Sequence, residues 1–186
     1  MPRIFVISGP AGVGKGTIVK GLMERPELNL VWAKSYTTRP PRPSDRVEHH
    51  YFFVSPDRFK ELQEEGEIFE SNFYNGAWYG SSKKSIQEAL AASKNVVMEV
   101  EVNGGKAYRE QYSNAVLIFI RAPLTQIERQ LTGRRQNTRE EILERLATAK
   151  TELELASWYD HVIENLPGKS EQAIDAVAVI IKGVVK

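Results

Sequence analysis

The sequence predicts an α/β protein whose mostly parallel sheet is flanked by helices, and three observations support this fold class. The longest apolar runs are continuous rather than alternating, which is typical of strands that are covered on both faces. Helical patterns separate these runs along the chain. The first run is followed directly by a glycine-rich loop and then by a helix. Strands that alternate with helices in this way predict a doubly wound core.

Length and composition limit what such a protein does. The 186 residues leave room for one core with small appendages. The chain has no cysteine, which excludes disulfides and cysteine-based metal sites and is typical of a reducing compartment. A net charge of +1 gives no overall field that would recruit nucleic acid or a membrane surface. Since neither a signal peptide nor a spanning segment is recognisable, we expect a cytoplasmic protein with no nucleic-acid or membrane partner.

The glycine-rich loop is the most specific motif. It follows the apolar strand Ile4–Ile7 and leads into the helical segment 18–23. Its glycines let successive backbone N–H groups surround an anionic oxygen, and the helix N-terminus adds about half a positive charge. The lysine then reaches the β- and γ-phosphates of a nucleotide. The motif predicts a P-loop NTPase core, rather than a plain glycine turn, that binds a nucleoside triphosphate through Gly9, Pro10, Ala11, Gly12, Val13, Gly14, Lys15, Gly16 and Thr17.

The residues around this loop also predict a metal site. Gly16 stands where a P-loop usually has a Ser or Thr that contacts Mg²⁺, so the hydroxyl comes one place later, at Thr17. Glu99 and Glu101 are two residues apart at the end of a predicted strand, so their side chains point to the same face. We expect Mg²⁺ to bind with the triphosphate near Thr17 and Glu99. The alternative is an edge strand that carries solvated acids.

Three further core strands and five helices follow from the pattern. The helix that begins after Thr138 has a capping box, since Glu141 follows three residues later. The last helix places Ile174, Val177, Ala178 and Ile181 on one face. The predicted strands are 95–100, 115–120 and 161–163, and the predicted helices are 83–92, 105–112, 125–132, 138–157 and 171–183.

Two segments interrupt the alternation. Residues 33–81 contain short β-prone pieces (34–39, 51–54 and 68–74) around a helix for which Ser55 is the expected N-cap, so they predict a small α+β insertion. Residues 124–150 are polar and rich in arginine, and they predict a helical hairpin that buries little apolar surface. Such a hairpin is a candidate lid. The core then consists of 1–32, 82–123 and 151–186.

The insertion carries motifs that together resemble the guanylate kinase family, which is similar over nearly the whole chain. These motifs are Thr37-Thr38-Arg39-Pro40-Pro41-Arg42, Tyr51-Phe52-Phe53-Val54, Glu70, Trp78-Tyr79-Gly80-Ser81, and Tyr159-Asp160-His161-Val162-Ile163-Glu164-Asn165. By itself the arginine segment is equally typical of a solvated basic loop. The combination is far more specific than any one motif.

The resemblance implies a GMP site within 33–81. The residues expected at the GMP phosphate are Arg39, Arg42, Tyr51 and Tyr79, and those expected around the guanine are Ser35, Glu70 and Ser81. Glu101 is a further expected GMP contact. A carboxylate at position 70 offers two acceptors to guanine N1–H and its amino group, whereas adenine presents an acceptor there. The alternative for Glu70 is a solvated surface acid.

The resemblance also implies the catalytic groups. Lys15, Arg39, Arg134 and Arg145 are expected to neutralise the transferred phosphoryl group. Asn165 matches a position near the adenine of ATP. The sequence departs from the family at three places: Glu99 and Glu101 replace aspartates, and Arg135 replaces a glycine of the lid. For Arg129, Arg135 and Arg139 we expect a solvated helical surface.

The function that the resemblance implies is transfer of a phosphoryl group from ATP to GMP, with Mg²⁺ as cofactor, in purine nucleotide metabolism. The expected partners are these nucleotides, with deoxy-GMP left open, and the chain is expected to act as a monomer or weak homo-oligomer. The sequence leaves two alternatives open. One is a ribose bisphosphate-type kinase on the same scaffold, and the other is a non-catalytic module that holds a phosphopeptide in the GMP cleft.

Overall fold

The structure is a computed structural model that describes residues 1–41, 50–74, 76–133 and 138–185. It has the α/β architecture that the sequence predicts. Its strands are β1 (Ile4–Ser8), β2 (Leu30–Trp32), β3 (Ser35–Thr37), β4 (Tyr51–Phe53), β5 (Ile68–Tyr74), β6 (Ala77–Ser82), β7 (Asn95–Glu99), β8 (Ala115–Arg121) and β9 (His161–Glu164). Its α-helices are α1 (Lys15–Met23), α2 (Pro56–Glu64), α3 (Lys83–Ala91), α4 (Val102–Gln111), α5 (Leu124–Gly133), α6 (Arg139–Glu154) and α7 (Ser170–Val185).

The larger sheet is parallel throughout, with the strand order β2-β7-β1-β8-β9. Alternate residues of β1 face opposite layers, so that Phe5 and Ile7 pack with α1, α5 and α7, while Ile4 and Val6 pack with α3 and α4. All four side chains are fully buried. Burial on both faces is the physical reason for the continuous apolar run. Because β1 and β7 run parallel, their carboxyl ends, and hence the residues that follow them, lie at one edge of the sheet.

A second sheet is built from residues 35–82, in the order β4-β3-β6-β5. Its β3–β4 pair is parallel and its other pairs are antiparallel. Helix α2 covers it by packing Phe59 and Leu62 with Ile68 in a small separate core. Tyr74, the last residue of β5, lines the same cleft as the glycine-rich loop.

Two helix starts agree with the capping residues expected from the sequence. Ser55 accepts a hydrogen bond from the Arg58 backbone N–H at the start of α2. At the start of α6, Thr138 and Glu141 form both bonds of the capping box. These local signals are reliable because each cap satisfies an N–H group that the first helical turn leaves unpaired.

The structure differs from the sequence-based expectation in several elements. Strands β2 and β6 were not predicted, because both are short or rich in small polar residues and form through cross-strand pairing rather than propensity. Helix α4 begins at Val102 instead of 105. The helix predicted over 138–157 ends at Glu154 and continues as a 3₁₀ turn. The arginine-rich hairpin also buries more than expected, since Ile127 and Leu131 of α5 are fully enclosed. Among the described residues, no helix is both long and apolar enough to cross a membrane.

Candidate active site

The glycine-rich loop joins β1 to α1, and it is anchored by Asn165, the residue that follows β9. The Asn165 Nδ2 donates a hydrogen bond to the Val13 carbonyl oxygen over 2.7 Å. Gly14 has a φ of 94°, in the left-handed region, and a Cβ at this position would lie 2.5 Å from that same Nδ2. Glycine is therefore required at position 14 for two reasons. Any other residue would have a strained backbone at this φ, and its side chain would displace Asn165. Asn165 is only 2% exposed, and its Oδ1 has no hydrogen-bond partner among the described residues.

Lys15 is buried at the head of α1 and points back into the loop. Its Nζ donates to the Gly9 carbonyl oxygen at 2.5 Å and lies 3.3 Å from the Glu101 carboxylate. Burial acts to lower the pKa of Lys15, but the charges of Glu101 and Glu99 outweigh this effect and leave that pKa raised. The lysine is therefore a cation, held where an incoming phosphate could replace Glu101 as its partner.

An open cleft of about 580 Å³ runs along the loop. This volume lies within the range that small-molecule sites usually have. The cleft is lined by the loop itself and by Tyr74, Glu99, Glu101, Arg129 and Asn165, among others. The sequence predicts a solvated helical surface for Arg129. Its side chain is exposed but lies at the mouth of the cleft, because the buried residues of α5 fix the face that Arg129 presents.

The cleft contains oxygen donors that suit a hard cation. Glu99 ends β7, which lies between β2 and β1, so the alternative of an edge strand is wrong. A Cβ on Gly16 would lie 3.4 Å from Glu99 Oε2, which places that carboxylate at the start of α1. Thr17 lines the same cleft. The described residues include no group of three or more His, Cys, Asp or Glu that could hold a metal unaided. Mg²⁺ bound through nucleotide phosphates needs only one or two protein ligands, so this donor set fits it.

The second sheet collects four of the expected GMP residues, Ser35, Tyr51, Tyr79 and Ser81, on one face. Ser35 lies opposite both Tyr51 and Ser81, and Thr37 lies opposite Tyr79. Directly paired residues, and residues two apart, share a face of a sheet. The sheet therefore brings the expected phosphate and guanine contacts together, although they are spread over three strands of the sequence.

Glu70 joins this group through a short hydrogen bond. The Ser81 Oγ donates to Glu70 Oε1 over 2.6 Å, and the other carboxylate oxygen lies against α4, where a Cβ on Gly104 would approach it to 3.1 Å. Burial raises the pKa of Glu70, and the hydrogen bonds from Ser81 act against that rise. Glu70 is therefore a half-buried, positioned acid rather than the solvated surface acid that the sequence left open.

Arg39 is placed by aromatic rings. Its guanidinium lies 5.0 Å from the centre of the Tyr51 ring and 5.4 Å from that of Phe53. The Tyr51 and Tyr79 rings meet edge to face with their centroids 6.3 Å apart. The Nη1 of Arg39 also donates a hydrogen bond to the Pro40 carbonyl oxygen over 3.1 Å, so ring contacts and this bond together orient the guanidinium. The arrangement suits a bidentate contact with a phosphate.

Helix α6 carries Arg145, whose guanidinium lies 5.7 Å from the centre of the Tyr74 ring, and a residue that sequence reasoning missed. Arg145, the buried Ala149 and Glu152 follow at steps of four and three, which aligns them along one side of the helix. Burial raises the pKa of Glu152 to about 7, and the nearby charge of Glu101 adds to the effect. In the sequence, only the spacing of Glu152 from Arg145 indicates that the two residues lie on the same side of the helix. Arg42 and Arg134, both expected in the site, lie outside the described residues.

Comparisons with known proteins agree on one family. The family model described as guanylate kinase matches residues 1–183. A guanylate kinase of Nitrosomonas europaea is 38% identical over 166 residues, which cover 89% of this chain and 82% of the relative. A guanylate kinase of a Nostoc species is 37% identical over 183 residues, which cover 97% of this chain and 90% of the relative. Among solved structures, the guanylate kinase of Anaplasma phagocytophilum superposes with a TM-score of 0.79 at 26% identity, covering 98% of this chain and 85% of that one.

Proposed function

This chain belongs to the guanylate kinase family, and on that basis we propose that its cleft transfers the γ-phosphoryl group of ATP to GMP, giving ADP and GDP. Membership makes it a transferase and a nucleoside monophosphate kinase. The observation that carries the choice of GMP is the hydrogen bond from Ser81 to Glu70, because it fixes a carboxylate as a double acceptor on the face that also carries Tyr51 and Tyr79. Neither a sugar phosphate nor a phosphopeptide has a nucleobase that Glu70 could bind.

We assign ATP to the glycine-rich loop and GMP to the second sheet. In this assignment residues 33–81 form the GMP insertion, residues 124–150 form the lid, and the remainder forms the core. The loop amides and the start of α1 would hold the β- and γ-phosphates. The stacked guanidinium of Arg39 would hold the GMP phosphate, with Arg42 as a second contact and Tyr51 and Tyr79 beside them. The Asn165 amide, already bound to Val13, would lie beside the adenine.

The metal that guanylate kinases generally need is proposed to be Mg²⁺, with Glu99 and Thr17 as its protein ligands. A bound Mg²⁺ neutralises phosphate charge and orients the triphosphate. Support for this site comes from the carboxylate of Glu99 at the start of α1 and from the exposed hydroxyl of Thr17 in the same cleft. Calorimetric titration with a non-hydrolysable ATP analogue should therefore show a larger Mg²⁺-dependent gain in affinity for the wild type than for Glu99→Ala.

The chain contributes positioning and charge to the transfer. A phosphate oxygen of GMP forms a bond to the γ-phosphorus while the bond from that phosphorus to the bridging oxygen breaks, and ADP keeps the electron pair. The attacking oxygen is ionised near neutral pH, so no side chain has to remove a proton. Lys15 would exchange Glu101 for phosphate oxygens, and the guanidinium groups of Arg39, Arg134 and Arg145 would balance the remaining negative charge.

An ADP-release assay with several acceptors tests this function. GMP, deoxy-GMP, AMP, UMP, CMP and ribose 1,5-bisphosphate are each offered with ATP and Mg²⁺. We expect the guanine nucleotides to give the highest kcat/KM. A preference for ribose 1,5-bisphosphate, or turnover with none of the acceptors, would contradict the proposal. The cytoplasmic location and the monomeric or weakly oligomeric state expected from the sequence stay predictions.

A further inference from the structure

Tyr74 lies at the end of β5, at the point where the second sheet meets the cleft. In the β5–β6 pair, Asn72 lies opposite Tyr79 and Tyr74 lies opposite Ala77. Tyr74 therefore shares the sheet face of Tyr79 and extends the proposed GMP site towards the glycine-rich loop, where it lines the cleft. Its neighbour Phe73 points to the opposite face, where it packs against Trp78 with ring centroids 5.1 Å apart.

The Tyr74 hydroxyl is buried and has no hydrogen-bond partner among the described residues. Burial raises the pKa of this tyrosine, so it remains protonated and available as a donor at neutral pH. Charged groups surround it on all the elements that meet there, namely Arg145, Glu101, Lys15 and Glu152. A buried hydroxyl without an acceptor is unfavourable, which indicates that an acceptor enters this position during function. Between the loop and the proposed GMP site, the acceptor that the chemistry supplies is a phosphate oxygen.

The ring of Tyr74 has a separate partner. The guanidinium of Arg145 lies 5.7 Å from the ring centroid, within the range of a cation–π contact. This contact joins the last residue of β5 to helix α6 and so links the second sheet to the helical hairpin.

We infer that Tyr74 is a further residue of the phosphoryl-transfer site: its ring positions Arg145, and its hydroxyl donates a hydrogen bond to the phosphoryl group as that group passes between the nucleotides. The inference rests on the proposed function. Tyr74 keeps its proton throughout, since the transfer exchanges one P–O bond for another and moves no proton. The hydroxyl meets its acceptor at the centre of the transfer. It therefore stabilises the transition state more than it stabilises ATP or GMP in their bound ground states.

Two substitutions at Tyr74 separate the hydroxyl from the ring, and Phe73→Leu on the opposite face is the matched control. Tyr74→Phe should lower kcat about 10-fold and leave both KM values within about 2-fold, because a donor used in the transition state is lost. Tyr74→Leu should lower kcat about 10-fold further, because Arg145 then loses its support. Phe73→Leu should keep the wild-type kcat. Circular dichroism identifies any variant that fails to fold.

The Arg145→Ala background tests the role of the ring. There, Tyr74→Leu should be no worse than Tyr74→Phe, because the ring no longer has a guanidinium to position. An unchanged kcat for Tyr74→Phe in an active enzyme would overturn the role of the hydroxyl. If Tyr74→Leu still lowers kcat further than Tyr74→Phe in the Arg145→Ala background, the positioning role is overturned. A wild type that phosphorylates no monophosphate contradicts the proposed function instead, and the two failures are therefore distinguishable.

Discussion

The Nζ of Lys15 lies 3.3 Å from Oε2 of Glu101, so the lysine of the glycine-rich loop is paired with an acid at the N-cap of α4, two residues after β7 ends. Lys15 is 5% exposed and Glu101 is 29% exposed. The pair keeps a buried cation compensated while the loop holds no phosphate. Because of this pair, phosphate binding replaces one anionic partner of Lys15 by another. The lysine therefore needs little rearrangement of the fold around it when phosphate binds.

Lys15→Ala should lower kcat at least about 10³-fold while the protein stays folded. The lysine contacts loop carbonyl groups and Glu101 rather than core side chains, and Glu101 is exposed enough to hydrate when its partner is lost. Turnover and the thermal unfolding midpoint are measured together. The control is Lys60→Ala, which removes an exposed lysine of α2. A Lys15→Ala variant with a normal rate would remove this lysine from the catalytic assignment.

Arg39→Ala should weaken GMP binding much more than ATP binding. Its guanidinium is stacked on Tyr51 in the second sheet, and a charge-assisted phosphate contact is worth about 1.5–3 kcal/mol. Separate calorimetric titrations with each nucleotide measure the two effects. Arg58→Ala removes an arginine from the same segment, but one that is tied to Glu61 and Glu65 on the surface, and should change neither affinity. Equal losses for both nucleotides on Arg39→Ala would place the GMP phosphate elsewhere.

Glu70→Gln should lower kcat/KM for GMP by about 30-fold or more, because the amide presents a donor to one of the two guanine donors. AMP turnover should stay unchanged or rise slightly, and the KM for ATP should hardly change. Steady-state kinetics with both acceptors provide the measurement, with the exposed Glu64→Gln on α2 as control. If the variant keeps full selectivity for GMP, guanine is selected by other groups, such as Ser35, Ser81 or Glu101.

Glu152 makes the stability of the ligand-free protein depend on pH. Its pKa is about 7 in the folded chain, compared with an ordinary value of 4.5, so the folded state binds this proton more tightly than the unfolded state. The resulting stabilisation is complete below pH 4.5 and is lost as the pH rises through 7. Glu152→Gln should therefore stabilise the protein at pH 8 by about 1–2 kcal/mol and much less at pH 5.

Urea unfolding at the two pH values provides the check on this prediction. Glu154→Gln is the matched control, because Glu154 lies two residues along the same helix and is exposed. It should give the same small change at both pH values. A Glu152→Gln gain that does not depend on pH would show that the carboxyl group does not titrate in this range.

The local parts of the fold could be predicted from the sequence. The helix caps predicted at Ser55 and Thr138 are confirmed. Such caps can be predicted because each involves only residues within one turn. The parallel sheet followed from continuous apolar runs, and the family was recognised from motifs whose residues are close in sequence. The glycine-rich loop belongs with these features, since its strand, turn and helix are consecutive.

The tertiary structure alone decided which of the polar residues face one another. Nothing local distinguishes Glu70 from the many solvated acids, and its burial depends on Ser81 and on a glycine of α4. The hydroxyl of Tyr74, the cleft position of Arg129 and the pKa of Glu152 likewise depend on elements far away in the chain. The physical reason is that a sequence encodes the period and capping of each element directly, whereas burial and charge pairing arise only when separate elements pack together.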